Sequence, residues 1–191
     1  MIENEAETTS TAETAVKEPT KTTRNEDKKK ESNSRLSLSD RRELQEKLTM
    51  MPSDARKEDG SQSNTLFGND SIKRSSIRHI QFVNTLNGVP NTGWDISLHQ
   101  NGKIKAWVKG GNLMIAGDGG VFAPVDSSLL FADFDKLETI DFGNCFYTDG
   151  VENMQRMFYG CKSLTNLDIN DYDTSNVTNM AHMFQECHSV K

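Results

Sequence analysis

Two stretches near the C-terminal end of the chain repeat one another, and this repetition constrains the fold more than any other feature of the 191 residues. Leu137 and Leu164 open the two copies and lie 27 residues apart, whereas Cys161 and Cys187 close them and lie 26 residues apart. The first copy therefore carries one extra residue, which falls in the turn 143–150. The other matching pairs are Ile140/Leu167, Phe142/Ile169, Val151/Val177, Met154/Met180, Met157/Met183 and Phe158/Phe184.

Each copy changes its apolar spacing halfway along. In the second copy, Leu164 opens the pattern L-x-x-L-x-L, which is typical of a short strand. From Val177 the spacing becomes V-x-x-M-x-x-M-F-x-x-C, which favours an amphipathic helix because positions i, i+3 and i+4 share one helix face. That helix would turn Met180, Met183 and Phe184 toward the interior. Each repeat is therefore predicted to contain one strand and one helix.

Composition divides the chain into three parts. Residues 1–64 are rich in Glu, Thr, Ser, Lys and Asn and contain no aromatic residue, so we expect a disordered linker. Residues 65–128 hold short alternating apolar runs, separated by Asn-Gly and Gly-Gly-Asn turns, which predict a small β-meander of three strands. That meander would cover the first apolar repeat of residues 129–191, which hold two full repeats and the start of a further one.

One short segment in the first part has the signals of a helix. Asp40 stands three residues before Glu43, as in a capping box, and Leu44 and Leu48 follow at helical spacing. Two interpretations stay open, a short stable helix or a transient helix within a linker. The second is favoured, because isolated helices shorter than ~12–15 residues are only marginally stable.

Charge and hydropathy argue against nucleic-acid binding and against a transmembrane helix. The formal net charge is −6, and the short basic run Lys28–Lys30 is flanked by acidic residues, so we expect no nucleic-acid binding. No apolar stretch approaches the ~18 residues that a transmembrane helix needs. The start Met1-Ile-Glu-Asn-Glu has neither a basic nor an apolar segment, so no signal peptide is expected.

No pattern predicts a catalytic, cofactor or metal site. The three cysteines form no C-x-x-C pair. Cys161 and Cys187 occupy the same repeat position, where two stacked buried side chains are favoured over a disulfide. Asp171 opens a segment with oxygens at alternate positions, as in a calcium loop, but Asn176 and His182 stand where such a loop has its Gly and Glu. We expect this segment to cap the following helix, and we expect no enzyme and no cofactor.

The polar face of the predicted strands is the candidate binding site. Asp168 and Asn170 point outward between the apolar residues of the second copy, and Asp141 does so in the first. Stacking of the repeats would place Asp141 beside Asp168 at about the ~4.8 Å spacing of neighbouring strands. These side chains form either a solvated polar face or a small acidic strip that binds a partner. Asp141, Asp168 and Asn170 are the predicted partner-binding residues.

The repeats resemble those of a known family. The strings LETIDFGNCFYTDGVENMQRMFYGC and LTNLDINDYDTSNVTNMAHMFQEC are similar to the BspA-like relative of the leucine-rich repeat, found in Gram-positive surface proteins and Mycoplasma lipoproteins. The resemblance covers about Leu129 to Lys191. It implies an α/β fold, namely a leucine-rich-repeat-like right-handed solenoid with a strand and a helix in each repeat, a small N-terminal β cap and a disordered N-terminal region.

The resemblance also implies a function. We expect a non-catalytic binding or adhesion module of a bacterial cell-surface protein, present here as a fragment or truncated form and located at the cell surface or secreted. The partner would be a protein or cell-surface ligand, including a host or matrix component. The open edge of the last repeat further predicts end-to-end self-association. The alternative is a secreted or cytoplasmic interaction protein that uses the same repeat as a scaffold, and an enzyme would need a catalytic domain beyond Lys191.

Overall fold

The computed structural model describes residues 37–57, 59–63 and 65–191, so the disorder predicted for residues 1–36 lies outside the described residues. Residues Ser39–Lys191 form one compact unit. The described part of the chain contains one α-helix, eight strands and a short 3-10 helix at Arg74–Ser76. They are α1 (Leu38–Leu48), β1 (His79–Val83), β2 (Trp94–Asp95), β3 (Ile104–Lys109), β4 (Asn112–Gly117), β5 (Val121–Phe122), β6 (Thr139–Asp141), β7 (Phe146–Tyr147) and β8 (Asn166–Leu167).

Six of the strands form one mixed sheet in the order β2-β3-β4-β1-β6-β8. The pairs β2–β3 and β3–β4 are antiparallel, and this is the pairing expected of the meander. The pairs β4–β1, β1–β6 and β6–β8 are parallel, and β5 and β7 form a separate parallel pair. Through β1, the meander and the strands of the repeats therefore belong to the same sheet.

A row of apolar side chains crosses the parallel part of this sheet. Ile80 of β1 pairs with Leu113 of β4 on one side and with Ile140 of β6 on the other, and Ile140 pairs in turn with Leu167 of β8. The first three side chains are buried, whereas Leu167 on the edge strand is only partly so. Burial of an aliphatic side chain contributes ~1.5–3 kcal/mol, so this row fixes the register in which the repeats' strands pair.

The second half of each repeat is a series of turns and not a helix. Arg156 has a φ of 53° and Gly160 a φ of 74° in the first repeat, and His182 (60°) and Glu186 (65°) stand at the same positions in the second. An α-helix needs a negative φ at every residue, so two positive values four residues apart exclude it. We call the ranges 126–134, 153–161 and 179–187 the first, second and third turn segments.

Backbone hydrogen bonds show what replaces the helix. The N–H of Met157 closes a turn onto Met154 O (3.2 Å), whereas the N–H of Phe158, the next residue, donates to Met183 O of the following segment (3.0 Å). Successive N–H groups thus alternate between a bond inside their own turn segment and a bond to the next segment. An N–H group used in either way is not available for the i→i−4 bond of a helix. The other bonds between segments are Met154→Asn179, Arg156→Ala181, Gly160→Gln185, Ser127→Asn153, Leu129→Gln155, Phe131→Met157 and Asp133→Tyr159.

The predicted α/β fold, a leucine-rich-repeat-like right-handed solenoid with a strand and a helix in each repeat, is therefore wrong. The described residues are mostly sheet, their single α-helix lies outside the repeats, and the main sheet is mixed and six-stranded. The prediction failed because successive turns of three to four residues return side chains to one side at nearly the spacing of a helix. Apolar periodicity alone does not separate the two structures.

Only part of the predicted buried stripe is buried. Met183 is 6% exposed, as expected, but Met180 is 45% and Phe184 is 41% exposed. The ring of Phe184 stacks on that of Phe158 with centroids 5.6 Å apart, and Phe158 stacks on Phe131 at 5.5 Å. One face of Phe184 is thus covered by the preceding repeat, and the column of three rings ends at the surface.

Residues on the N-terminal side of the predicted boundary at residue 64 also contact the compact unit. Helix α1 has 11 residues, and the Gln45 side-chain amide donates to Asp149 O (2.8 Å). After the helix, Met50 is fully buried and its N–H donates to Phe122 O of β5 (3.0 Å). These contacts join residues far apart in the chain, so local composition does not reveal them.

Arg74 lies in the segment that precedes the sheet, between α1 and β1, and it joins this segment to the first turn segment. Its side chain is only 3% exposed and donates to the Asp54 carboxylate (2.5 Å) and to Ala132 O (3.3 Å). Its guanidinium carbon lies 4.8 Å from the ring centroid of Phe134 and 5.3 Å from that of Phe67. The buried charge is therefore held by a carboxylate, a carbonyl and two ring faces.

We predict that Met183→Ala lowers the free energy of unfolding by about 2 kcal/mol, because it leaves a cavity beneath the third turn segment. Met180→Ala is the matched control, since Met180 lies three residues earlier and is largely exposed. It should change the unfolding free energy by less than ~0.5 kcal/mol. Urea unfolding of both variants measures the difference, and equal losses would contradict the structure of this segment.

A second prediction concerns the Asp54–Arg74 pair. Burial alone would raise the pKa of Asp54, but Arg74 and the N–H groups of Gly68 and Phe67 lower it overall below the usual 3.8. The pair's contribution is therefore complete above that value and is lost as the pH falls through the lower folded pKa. We expect Asp54→Asn to lower the unfolding free energy at neutral pH by roughly 2 kcal/mol. Urea unfolding at a series of acidic pH values should show that the difference in unfolding free energy between the variant and wild type decreases. A difference that does not change with pH would contradict the ionised pair.

Candidate functional site

The predicted site residues lie at the end of the two repeat strands. Asp141 is the last residue of β6, and Asp168 directly follows β8. Because Ile140 pairs with Leu167, the two aspartates are the next residues in the same parallel register. Both line one cavity of about 170 Å³, which we call the acidic cavity. Asn170, the third predicted residue, does not line it.

Local hydrogen bonds hold both carboxylates in place. Asp141 Oδ1 accepts the N–H of Gly143 (2.9 Å), and Asp168 Oδ1 accepts the N–H of Asn170 (3.0 Å). These are Asx turns, in which an aspartate bonds the backbone two residues on. Gln81 of β1 also donates to Asp141 Oδ2 (3.4 Å). Asn170 therefore contributes its backbone N–H to the position of Asp168.

Aromatic rings stand beside these carboxylates. Phe142, Phe146 and Tyr172 line the acidic cavity and pack on one another, with ring centroids 5.1 Å apart for Phe142–Phe146 and 5.4 Å for Phe142–Tyr172. The hydroxyl of Tyr172 is buried without a hydrogen-bond partner, and burial raises the pKa of Tyr172. A buried unpaired hydroxyl costs stability, so this cavity carries an unmet hydrogen bond.

Asp171 adds a third carboxylate to the cavity lining. None of the nine lining residues is basic, so the cavity combines negative charge with aromatic surface. That combination suits an ammonium or guanidinium group, which both carboxylates and ring faces attract. The partner-binding site predicted from the sequence did not include Asp171, Phe142 or Tyr172, although the dense run Asp168-Ile-Asn-Asp-Tyr172 was a signal for two of them.

The described residues hold neither a metal site nor a membrane-spanning helix. Within residues 37–57, 59–63 and 65–191, no group of three or more His, Cys, Asp or Glu side chains could hold a metal ion. The segment that Asp171 opens was expected to cap a helix, but no helix follows it, and its Asp173 accepts the N–H of Ser175 (2.9 Å) in a turn. Within the described part of the chain, no helix is long and apolar enough to span a lipid bilayer.

The cysteines of the repeats are free and stacked in register. The thiol of Cys161 donates to Phe131 O and that of Cys187 to Phe158 O, both at 3.0 Å and each to the preceding repeat. Both are free thiols, which confirms stacked side chains rather than a disulfide. Burial raises the pKa of both thiols, and for Cys161 the neighbouring Cys187 adds to the rise. Neither environment resembles that of an activated nucleophile.

The fold and the cavity define a mostly β protein in which two repeats extend a mixed sheet and place acidic and aromatic side chains at its edge. Residues 126–191, 66 of the 191, match the model of a family described as Mycoplasma protein of unknown function, DUF285. No curated protein and no solved structure matches the chain. The resemblance to a Mycoplasma repeat family is confirmed at this level.

Thiol reactivity should follow burial. At about pH 8 we expect Cys161, which is fully buried, to react with a maleimide only when the protein unfolds, because thiolates are the reactive form. Cys187 is only partly buried and should react faster in the native protein. Peptide mapping by mass spectrometry after timed labelling measures both rates. Equal rates in the native protein would contradict the burial of Cys161.

Proposed function

We propose that this chain is a non-catalytic binding module of a bacterial cell-surface protein and that its acidic cavity receives a basic side chain of a protein partner. The main support is the clustering of Asp141, Asp168 and Asp171 with aromatic rings around one cavity. A lysine or arginine end group would offset the repulsion between the carboxylates and meet the ring faces.

The size and charge of the cavity favour a side chain over other ligands. Its volume of about 170 Å³ is below the ~300–1,000 Å³ typical of small-molecule sites, so it suits the end of one side chain. Its carboxylates would repel phosphate groups, which agrees with the net charge of −6 in disfavouring nucleic acid. A protein surface that exposes lysine or arginine is therefore the partner of choice.

The cell-surface location rests on similarity. The repeats resemble those of BspA-like surface proteins, and residues 126–191 match a Mycoplasma family. The resemblance to surface proteins supports a protein at the cell surface or secreted, with a protein or cell-surface ligand of the host or matrix as partner, whereas the matched family has no known function and adds no location. A secreted or cytoplasmic interaction protein built on the same repeats would use the same cavity. Protease treatment of intact source cells distinguishes the two, since only the surface protein is cleaved.

End-to-end self-association stays a prediction. In the described chain, the backbone N–H groups of Met180, His182, Phe184 and Glu186 make no backbone hydrogen bond, so the third turn segment offers an edge of donors. Stacking of copies would need free carbonyl acceptors at the first turn segment. There, Ala132 O already accepts one hydrogen bond from Arg74, so one of its two lone pairs is occupied.

The cavity is tested by the binding of labelled hexalysine and hexaglutamate peptides, measured by fluorescence anisotropy. We expect hexalysine to bind in a salt-sensitive manner and hexaglutamate not to bind. The double variant Asp141→Asn and Asp168→Asn removes two charges but keeps the oxygens that the Asx turns use. It should weaken hexalysine binding roughly threefold to tenfold.

Asp70→Asn is the matched control, because Asp70 is exposed and does not line the cavity. It makes the same chemical change elsewhere and should leave the affinity within about twofold of wild type. Equal affinity of the double variant and wild type for hexalysine, or equal binding of hexaglutamate, would contradict the proposal.

A further inference from the structure

A second, larger cavity lies between the segment that precedes the sheet and the turn segments. Its volume is about 360 Å³, and it shares no lining residue with the acidic cavity. Four of its lining residues are basic, Arg56, Lys73, Arg74 and Lys162, and three are acidic, including Asp133 and Asp135. We call it the polar cleft. Positive and negative groups nearly balance there, in contrast to the acidic cavity.

Unpaired buried polar atoms concentrate on the residues of this cleft. Four buried side-chain nitrogen or oxygen atoms in the described residues have no hydrogen-bond partner. Three of them belong to cleft residues, namely Arg74 Nε, Asp133 Oδ2 and Asp135 Oδ1. Native structures leave few such atoms unpaired, so their clustering marks the polar cleft as the part of the described residues where hydrogen bonding is least complete.

The position of Arg56 shows why Asp133 Oδ2 lacks a hydrogen bond. Arg56 Nη2 lies 3.1 Å from Asp133 Oδ1 and donates a hydrogen bond to it. The same nitrogen lies 3.0 Å from Asp133 Oδ2, which is close enough for an ion pair. Oδ2 nevertheless accepts no hydrogen bond. The Asp133 side chain is only 9% exposed, and this exposed part lines the polar cleft.

The cleft is held rigidly by backbone contacts. Asp133 has a φ of 62°, and its N–H donates to Tyr159 O (2.7 Å). Gly160 stands directly beside it, and a side chain there would lie 3.1 Å from Asp133 Oδ1. Arg74 is fixed from the other side by its contacts with Asp54 and Ala132. A preorganised polar site of this kind loses little entropy when a ligand binds.

We propose that the polar cleft binds a neutral, hydroxyl-rich ligand, a sugar residue. Each hydroxyl both donates and accepts, so neighbouring hydroxyls can donate to Asp133 and Asp135 while accepting from basic groups of the cleft. A neutral ligand also leaves the near balance of charge undisturbed. The volume of about 360 Å³ lies at the small end of ligand sites, which fits one or two sugar rings.

Charged ligands and ring stacking fit the cleft less well. A carboxylate or phosphate would meet Asp133 and Asp135, and an ammonium would meet four basic residues. Tyr159 also lines the cleft, but Arg56 lies 5.5 Å and Arg156 5.8 Å from its ring centroid. Recognition therefore rests on hydrogen bonds. This site is independent of the proposed capture of a basic side chain, because the two cavities have no residue in common.

The test is a titration of the ¹⁵N-labelled chain followed by two-dimensional NMR. The probes are D-glucose, D-galactose and N-acetyl-D-glucosamine, with sodium acetate and glycine as charged probes of similar polarity. At least one sugar should produce saturable shifts at the amides of Asp133, Gly160 and Lys162, with a dissociation constant of the order of millimolar. No saturable shift with any sugar up to ~50 mM, or saturation by the charged probes alone, would overturn the proposal.

Three variants locate the binding. Asp135→Ala and Lys162→Ala should each weaken sugar binding about tenfold, the loss expected for a hydrogen bond to a charged group. Asp141→Asn, in the acidic cavity, should leave sugar binding unchanged. Lys162 is exposed, so its variant stays informative if Asp135→Ala fails to fold. Sugar binding that survives Lys162→Ala, with shifts outside the cleft, would show that the site lies elsewhere.

Discussion

The backbone hydrogen bonds that run from one turn segment to the next determine where most other groups of the repeats lie. Arg156 N–H to Ala181 O and Phe158 N–H to Met183 O, both 3.0 Å, set the distance and register of the second and third segments. The rings of Phe158 and Phe184 then stack with an interplanar angle of only 3°. The backbone hydrogen bonds between segments therefore determine where these side chains lie, and they hold the exposed ring of Phe184 parallel to that of Phe158.

The same spacing builds both cavities. At the strand end of each repeat, the pairing of Ile140 with Leu167 carries the register on to Asp141 and Asp168 and so brings two carboxylates to one opening. At the other end, the first turn segment presents Asp133 to the segment that Arg74 clamps in place. Neither cavity is formed by a single local motif, because each needs partners from distant parts of the chain.

The sequence predicted the repeated strands, the meander and the line of Asp141 with Asp168, because a strand period of two shows directly in short apolar runs. It did not predict the turn segments, since nothing in the residue types of His182 or Glu186 demands the positive φ that excludes a helix. Strand β1 (His79–Val83) was missed because it belongs neither to the repeats nor to the runs between Asn-Gly and Gly-Gly-Asn turns that marked the meander. The polar cleft depends on Arg74, whose isolated charge carries no signal of burial until its ring and carboxylate partners are known.

Under the proposed function, the acidic cavity would link the stability of the fold to binding. Parallel register forces Asp141 and Asp168 together, and each carboxylate receives only one backbone N–H from its own Asx turn. Like charges on neighbouring strands repel one another, which is a cost to the free protein. Under the proposed function, a bound cationic side chain would offset that repulsion, so part of the binding free energy would come from its relief. Binding would then also stabilise the fold by mass action, through the same two residues.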